Sequence, residues 1–304
     1  MNAVEVQNLS VRFGEFTAVD TISFHVKPGE IFGFLGANGA GKTTTIRVLT
    51  GLLPPSEGMV RVAGLTFEDG EQAIKSRVGY MSQRFTLYND LSVQENLSFA
   101  AGLRKIPPAP SNERIKRLLN FIQFGSPLKT LVQNLPGGLK QEVSLVAALL
   151  HDPEIVFLDE PTAGVSPSAR ARFWGLIRSL AKEGKTIFVT THYMDEAEEC
   201  GRIALMRAGR VIALGSPSEL KKQAFPERLM EIQWKDNPPP DWHRSLLSGP
   251  AVSVVPYGLY YHVLIQDPVG WAQFLSTHAD HMVARDIPPS LEDVFIRLVE
   301  GVER

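Results

Sequence analysis

A glycine-rich stretch near the N-terminus constrains the fold of this chain more than any other part of its sequence. It reads GANGAGKT over residues 36–43, directly after the apolar run IFGFL and before a segment with helical period. A strand, the spacing G-x-x-x-x-G-K-[ST] and a helix, in that order, are typical of a phosphate-binding loop in an α/β fold. A coincidental glycine-rich turn that holds a lysine is the weaker interpretation, because it leaves the flanking strand and helix unexplained.

The residue types of this loop match what a nucleotide phosphate needs. Glycines let the backbone wrap an anion without Cβ clashes, and the N-terminus of the following helix presents N–H groups to it. Lys42 adds a positive charge at the β- and γ-phosphates, and the Thr43 hydroxyl can ligate Mg²⁺. The predicted ATP-binding residues of the loop are Gly36, Ala37, Asn38, Gly39, Ala40, Gly41, Lys42, Thr43 and Thr44.

Polar side chains follow three further predicted strands. Asp159 and Glu160 end the run IVFLDE, Gln83 follows VGYMS, and His192 follows IFVTT. Ligands of open α/β sheets bind at the carboxyl ends of the strands, so we expect these side chains to gather beside the phosphate loop. An aspartate at such a place can hold Mg²⁺ through water, and a carboxylate next to it can orient or deprotonate an attacking water. Taken singly, each residue has an equally good structural explanation.

Apolar strand-like runs alternate with helical periods from the phosphate loop to about residue 215. This alternation predicts an α/β core with a mostly parallel sheet, and the short runs within residues 1–35 predict an additional antiparallel β layer. Helices are predicted at residues 43–52, 92–104, 111–124, 139–150, 167–182 and 193–199.

The composition changes near residues 221–226, and a second pattern begins. Strand, helix, two strands, helix and strand follow in the βαββαβ order of a ferredoxin-like α+β domain, with a last helix after it. We therefore predict an ATP-binding domain over residues 1–224, with a helical subdomain at about 84–150, and an accessory domain over residues 225–304. The accessory domain could regulate, dimerise, bind a ligand or only stabilise the chain.

Charge and cysteine content limit the classes of partner. The formal net charge is −2, which gives no electrostatic basis for a nucleic-acid partner. Cys200 is the only cysteine, so an internal disulfide and a cysteine-based metal cage are excluded, as fits a reducing compartment. No apolar run approaches the roughly 20 residues that span a bilayer, and the N-terminus has no signal-peptide pattern. Work at a membrane would need another subunit to hold the chain there.

Together, these motifs resemble the ATP-binding subunit of an ABC transporter over residues 4 to about 220. Their order and spacing both match: GANGAGKT, YMSQ, LPGGLKQ, IVFLDE and TTHYMDEAE. The stretch GFLGANGAGKTTT and the closing LEDVF are similar to the ABC-2 exporter branch, which includes drug and antibiotic efflux ATPases. Phe13 matches the family's adenine-stacking aromatic, a role that an aromatic face can perform, although core packing is the alternative for a phenylalanine in a strand.

The resemblance implies a mechanism and a set of roles. ATP and Mg²⁺ would be the cofactors, with Thr43, Gln83 and Asp159 at the metal and Glu160, His192 and Gln83 in hydrolysis. Two ATPase domains would meet head to tail, as a homodimer or as a heterodimer with another ABC ATPase domain. The helical subdomain would dock an ABC-2-type transmembrane permease, which places the chain peripherally at the cytoplasmic face of the cell membrane.

In such a dimer, each ATP lies between the phosphate loop of one domain and a glycine-containing signature of the other. The signature residues implied here are Leu135, Pro136, Gly137, Gly138 and Gln141, with the two glycines presenting N–H groups to the partner's γ-phosphate.

Two positions depart from the family pattern. Pro136 stands where a serine is usual, so a hydroxyl and an N–H are missing, and Ser166 stands where the family usually has an aspartate. Both changes concern the closed dimer. We expect ATP binding to be intact and closure to be weakened or retuned, with a reduced hydrolysis rate, unless a different ATPase domain completes the site.

Two rival functions remain at this point. One is a soluble ABC ATPase that acts on ribosomes or nucleic acid, although those families usually carry two ATPase domains, with basic linkers or zinc-binding cysteines. The other is a catalytically silent binding module, which the changes at Pro136 and Ser166 leave open.

Overall fold

The computed structural model describes residues 1–83, 86–225 and 228–301. The chain divides into two compact units, residues 1–217 and 218–304. The predicted ranges 84–150 and 225–304 include positions 84–85, 226–227 and 302–304, which lie outside the described residues. The predicted domain boundary at residue 224 stays a prediction.

The first unit contains nine strands in its described part. They are β1 (Val4–Phe13), β2 (Phe16–Val26), β3 (Ile31–Leu35), β4 (Glu57–Val62), β5 (Val78–Met81), β6 (Ile155–Asp159), β7 (Thr186–Thr191), β8 (Arg202–Arg207) and β9 (Arg210–Gly215).

The helices up to the unit boundary follow the same chain order. They are α1 (Lys42–Leu49), α2 (Glu71–Arg77), α3 (Val93–Leu103), α4 (Pro108–Phe121), α5 (Gly137–Leu149), α6 (Pro167–Lys182) and α7 (Met194–Ala197). The next helix, α8 (Pro217–Ala224), lies in the second unit except for its first residue. No helix in the described part of the chain has the length and apolar character needed to cross a membrane.

Six of these strands form one sheet in the order β5–β6–β7–β3–β8–β9. All neighbours are parallel except β8 and β9, which form an antiparallel pair. β6 and β7 are buried along their whole length and β3 is buried except at Ile31, which explains why they appear in the sequence as mainly apolar runs. The predicted α/β core with a mostly parallel sheet is confirmed.

A separate antiparallel sheet has the order β2–β1–β4, as expected for a layer near the N-terminus. Gly14 has a φ of 60° at the first position of the two-residue turn between β1 and β2, where a twisted hairpin favours glycine. β4 was not predicted, because its sequence, EGMVRV, begins with exposed residues and buries only Val60 and Val62. Helix α2 was also missed, and it buries only Ile74.

Helix boundaries follow local capping chemistry. α3 begins after Ser92, whose hydroxyl accepts a hydrogen bond from the Glu95 backbone while the Glu95 carboxylate accepts from Ser92 in return. α4 begins at Pro108, three residues before its predicted start, because a proline at the first helical position has the right φ and needs no N–H partner.

The second unit has an antiparallel four-stranded sheet in the order β11–β12–β10–β13. This is the ferredoxin-like order expected from βαββαβ. Its elements are β10 (Arg228–Trp234), α9 (Trp242–Leu247), β11 (Ala251–Tyr257), β12 (Tyr260–Ile265), α10 (Pro268–His278), β13 (Met282–Asp286) and α11 (Leu291–Gly301).

The two faces of this second sheet differ. One face packs against α9 and α10 around Ile232, Val263 and Trp271. The other carries Glu231 of β10, directly opposite His262 on one side and Arg285 on the other. Asp293 of α11 lies 2.9 Å from the Nδ1 of His262, so a row of ionisable side chains joins the C-terminal helix to the sheet.

Five phenylalanines form the centre of the first unit's core. Phe188 of β7 lies within 5.4–6.1 Å of the rings of Phe24, Phe32, Phe34 and Phe157. These rings come from both sheets, so the cluster joins the antiparallel layer to the parallel sheet.

We predict that Phe188→Ala lowers the free energy of unfolding by about 3–5 kcal/mol, because it leaves a cavity in the middle of this cluster. Urea unfolding followed by circular dichroism measures the effect. Phe16→Ala is the control: that ring is 66% exposed, and we expect a change within about 0.5 kcal/mol. Equal effects of the two substitutions would contradict the assignment of Phe188 as the central residue.

Candidate functional site

The phosphate loop connects the end of β3 to the start of α1. Gly39 and Gly41 have φ values of 81° and 106°, which residues with a side chain rarely adopt. A Cβ on Gly36 would lie 2.3 Å from the Met206 carbonyl oxygen, and one on Gly41 would lie 2.5 Å from that of Ala18. The first and last glycines are therefore needed for close backbone approach, while Gly39 faces open space.

Lys42 is buried at the first position of α1 and lies across the loop. Its ammonium donates hydrogen bonds to the carbonyl oxygens of Gly36 (2.8 Å) and Ala37 (3.2 Å). The Nζ also lies 3.2 Å from Oε1 of Glu160, which is buried as well. The lysine thus joins the phosphate loop to the end of β6. Ala37 and Asn38 are exposed, Ala40 is buried and Thr44 is half-buried.

Asp159 lies at the end of β6 beside the start of α1. Its Oδ1 accepts hydrogen bonds from the hydroxyls of Thr190 (2.6 Å) and Thr43 (3.3 Å). Its Oδ2 is buried and has no hydrogen-bond partner in the described structure. Burial raises the pKa of the Asp159 carboxyl, and the two threonine hydrogen bonds offset this only in part.

These donors fit a magnesium ion. An unpartnered buried carboxylate oxygen and a threonine hydroxyl offer hard oxygen ligands. Among the described residues, no group of three or more His, Cys, Asp or Glu side chains could hold a metal. A site with few protein ligands suits Mg²⁺, which is commonly bound through one or two carboxylates together with substrate phosphates and water.

Glu160 is where the predicted catalytic residues meet. Its Oε2 accepts a hydrogen bond from Nε2 of Gln83 at 3.0 Å and lies 3.2 Å from Nδ1 of His192, while Oε1 faces Lys42. Glu160 has a φ of 47°, an uncommon backbone state for a residue with a side chain, and its N–H donates to the Thr190 hydroxyl at 3.0 Å. Such conformations cluster at functional sites, where surrounding contacts hold them in place.

Two residues that support this site were not predicted from the sequence. Thr190 bonds both Asp159 and the backbone of Glu160, and so sets the end of β6 against β7. Glu196 accepts hydrogen bonds from the hydroxyls of Thr162 and Thr191, and so links the segment after Glu160 to the end of β7. The pair of threonines before His192 was the only available signal.

Phe13 lies at the tip of the β1–β2 hairpin, and its side chain is half exposed. Core packing therefore does not account for this ring. Phe16, opposite Phe13 across the turn, is also exposed. The hairpin is held close to the phosphate loop, because the Ala18 carbonyl oxygen of β2 lies against Gly41.

The predicted signature residues surround the start of α5 and contribute no residue to the contacts around Glu160. Pro136 is the N-cap, with a φ of −56°, and its carbonyl oxygen accepts the first helical hydrogen bond from Lys140. Gly137 is exposed and Gly138 half-buried, whereas the side chains of Leu135 and Gln141 are buried.

A cavity of about 620 Å³ lies beside this helix start. Its lining includes Pro136, Gly137 and Gly138, together with Ser166 and the first turn of α6, and none of the phosphate-loop residues. Ser166 is the N-cap of α6, and its hydroxyl accepts a hydrogen bond from the Ala169 N–H at 3.3 Å. A serine here therefore retains the capping role that an aspartate would have.

Comparison with known proteins gives one consistent result. The family model described as ABC transporter matches residues 19–163. The Nod factor export ATP-binding protein I of Paraburkholderia xenovorans is 37% identical over 308 residues, which cover 97% of this chain and 96% of that protein. The probable multidrug ABC transporter ATP-binding protein YbhF of Escherichia coli is 43% identical over 221 residues. That match covers 73% of this chain and only 38% of YbhF, so the chain corresponds to a part of that longer relative.

Solved structures agree with the sequence relatives. The protein cbiO1 of Clostridium perfringens, part of the ABC transporter complex cbiONQ, matches with a TM-score of 0.67 and 28% identity, covering 72% of this chain and 90% of that one. An ATP-binding subunit of an ABC transporter matches with a TM-score of 0.65 and 29% identity, covering 73% and 92% of the two chains.

We predict that Asp159→Asn raises the free energy of unfolding of the metal-free protein at neutral pH. The raised pKa of Asp159 means that the folded state holds its proton more tightly than the unfolded state does. Stability is therefore lost as the pH rises above about 4, where the unfolded carboxyl ionises. Asparagine removes this loss, and denaturant unfolding in EDTA across pH 4–8 measures it.

Asp152→Asn is the matched control for this prediction. The Lys185 ammonium bonds the exposed Asp152 carboxylate and lowers its pKa, so neutralisation there should leave stability equal or slightly lower. An Asp159→Asn protein that is less stable than the parent at neutral pH would contradict the prediction.

Proposed function

Because this chain belongs to the ATP-binding protein family of ABC transporters, we propose that it binds and hydrolyses ATP as the motor subunit of an exporter. In this proposal, ATP-driven dimerisation and MgATP hydrolysis drive efflux through a separate transmembrane subunit. The observation that carries the proposal is the arrangement around Glu160, where Lys42, Gln83 and His192 lie within 3.2 Å of one carboxylate beside the phosphate loop. The name of the relative from Paraburkholderia xenovorans, which refers to Nod factor export, supports an export role, and that of YbhF refers to a multidrug ABC transporter.

The first step is capture of the triphosphate. Gly39 and Gly41 open the backbone around the anion, and the N-terminus of α1 faces the phosphates. Lys42, which contacts loop carbonyls and Glu160 in the described structure, turns its ammonium to the β- and γ-phosphates. Phe13 stacks on the adenine ring.

The second step is hydrolysis, with Glu160 as the catalytic carboxylate. Once Lys42 contacts phosphate, Oε1 of Glu160 is free to accept a hydrogen bond from the attacking water. Gln83 and His192 hold Oε2 on the other side, so the carboxylate keeps one orientation. Mg²⁺ would be held by Thr43, Asp159 and the side-chain oxygen of Gln83, and it would neutralise charge that develops on the phosphate oxygens.

Completion of the site requires a second ATPase domain, in a homodimer or a heterodimer. In each composite site, the signature residues Leu135–Gln141 of one domain face the nucleotide of the other. Gly137 and Gly138 contribute N–H groups that have no partner within α5, since the first turn of a helix leaves its donors free. Dimer closure then depends on ATP, because only the bound γ-phosphate joins the two surfaces.

We propose that an ABC-2-type permease docks at a groove of about 510 Å³ beside the helical segment. Leu52 and Leu103 line the groove and are 51% and 68% exposed, so they offer apolar surface to a partner, while Lys75, Arg104 and Lys105 of the same lining offer positive charge. Burial lowers the pKa of His151 in the groove to about 4, so its ring is neutral at physiological pH. This partner would hold the chain peripherally at the cytoplasmic face of the membrane. No nucleic-acid partner is proposed.

Residues 1–224 would form the ATPase domain, with the helical subdomain at about 84–150, and residues 225–304 would form the accessory domain.

Two substitutions test the proposed function. Lys42→Ala should weaken ATP binding by about 10- to 100-fold, because it removes a charged hydrogen-bond donor from the phosphates. Glu160→Gln should leave ATP affinity close to that of the parent and lower the rate of phosphate release by about 10²- to 10⁴-fold. Fluorescent-nucleotide titration and a phosphate-release assay measure the two effects. Unchanged ATP affinity in Lys42→Ala, or an unchanged rate in Glu160→Gln, would refute the proposal.

A third substitution tests the proline of the signature. Pro136→Ser restores one N–H and one hydroxyl at the α5 N-cap, so we expect ATP-dependent dimerisation to tighten by about 10-fold or more. Analytical ultracentrifugation with MgATP, in a Glu160→Gln background that prevents turnover, measures the dissociation constant.

Pro107→Ser is the matched control, because Pro107 is the N-cap of α4 with nearly the same backbone angles and lies outside the signature. If Pro136→Ser leaves both dimerisation and ATPase rate unchanged, this interpretation of the proline is wrong.

A further inference from the structure

The start of the signature helix α5 lies against the start of α6. A Cβ on Gly138 would lie 2.6 Å from the Cβ of Ala169, so only a glycine allows this approach without a shift. Their N-caps, Pro136 and Ser166, both line the cavity described above. The two positions that depart from the family pattern therefore border one surface.

One helical turn further along, an ion pair joins the same two helices. Nε of Arg172 on α6 lies 3.0 Å from Oε1 of Glu142 on α5. Glu142 follows Gly138 by four residues and Arg172 follows Ala169 by three, so the pair lies directly behind the Gly138–Ala169 contact. The Arg172 guanidinium also donates to the carbonyl oxygen of Ile122, the C-cap of α4. A single side chain thus ties three helices together.

This pair is poorly arranged for stability. Glu142 is buried, and its Oε2 has no hydrogen-bond partner in the described structure. Burial raises the pKa of the Glu142 carboxyl, and attraction to Arg172 offsets that only in part. An ion pair between a buried carboxylate with one unsatisfied oxygen and a half-exposed guanidinium adds little net stability, whereas it can select one packing arrangement over others. Its location therefore suggests a geometric role.

We propose that Glu142 and Arg172 are positioning residues that hold the start of α5 against the start of α6, so that the signature glycines and the Ser166 loop meet the partner's nucleotide as one rigid surface. This inference rests on the proposed function, in which Gly137 and Gly138 contact the ATP of a second domain. Glu142 lies one turn inside α5, and both side chains line the same cavity as the signature glycines. In this proposal the pair acts through the placement of the α5 and α6 backbones.

A charge exchange tests the pair. Arg172→Glu places two carboxylates together and Glu142→Arg places two guanidinium groups together, so each should weaken ATP-dependent dimerisation by about 10-fold or more. The double variant Glu142→Arg/Arg172→Glu restores opposite charges and should recover most of that loss. The ATP affinity of the monomeric protein should stay within about twofold of that of the parent in all three variants, because the phosphate loop is unchanged.

Ultracentrifugation with MgATP gives the dimer dissociation constants, and steady-state assays give kcat and KM. We expect the single variants to lose ATPase activity at low protein concentration and to regain it as the concentration rises. Thermal unfolding is recorded in parallel.

Two further variants separate positioning from folding. Glu142→Gln keeps the shape of the side chain and removes its charge, which leaves the half-exposed Arg172 without an ionic partner. The variant should therefore fold and still dimerise several-fold more weakly. Arg178→Glu, also on α6, breaks a pair with Glu199 in which both side chains are exposed, and should change nothing.

The outcomes are distinct. Weaker dimerisation in the single variants with recovery in the double variant supports the inference. If the parent dimerises with ATP and Glu142→Gln dimerises equally well, the inference is overturned while the proposed function stands, even where melting temperatures fall. If the parent shows no ATP-dependent dimer at all, the proposed function and this inference both fail.

Discussion

A buried lysine and a buried glutamate face each other where the phosphate loop meets the end of β6, and the site is organised around that contact. Neither charge could remain there alone, because an unpaired buried charge costs several kcal/mol. Lys42 is satisfied by two loop carbonyls and Glu160, and Glu160 in turn by Lys42 and Gln83, with His192 3.2 Å away. The contact therefore makes the shape of an anion-binding loop and the orientation of a carboxylate depend on each other.

The parallel sheet makes this arrangement possible. β3, β6 and β7 are adjacent in the sheet, and all three end at the same edge. Their middle residues are apolar, and the polar side chains of the site lie at the last residues of β6 and β7 and just beyond the strands. The single hydroxyl of Thr190 donates a hydrogen bond to Asp159 and accepts one from the backbone N–H of Glu160. These hydrogen bonds hold Asp159 and Glu160 in fixed positions relative to the strands.

Much of this could be predicted from the sequence, because the phosphate loop and the strand ends are local signals. The loop spacing and the apolar runs before Asp159 and His192 were sufficient to predict the convergence that the structure shows. β4 and α2 were missed because each buries too few residues to produce a clear period. The Glu142–Arg172 pair could not have been predicted, since 30 residues separate its members and only the packing of Gly138 on Ala169 brings them together.

The row of ionisable side chains in the second unit constrains the register of strand β10. Glu231 lies between His262 and Arg285 on one face of the sheet, while its neighbours Met230 and Ile232 point into the apolar layer on the other. A slip of β10 by a single residue would turn the carboxylate toward Trp271 and Phe274 and take it away from the His262 imidazole and the Arg285 guanidinium. The contacts of Glu231 therefore fix the register of β10. An inserted or deleted residue within β10 would destabilise the sheet, whereas the exposed turn around Leu259 could change length without this cost.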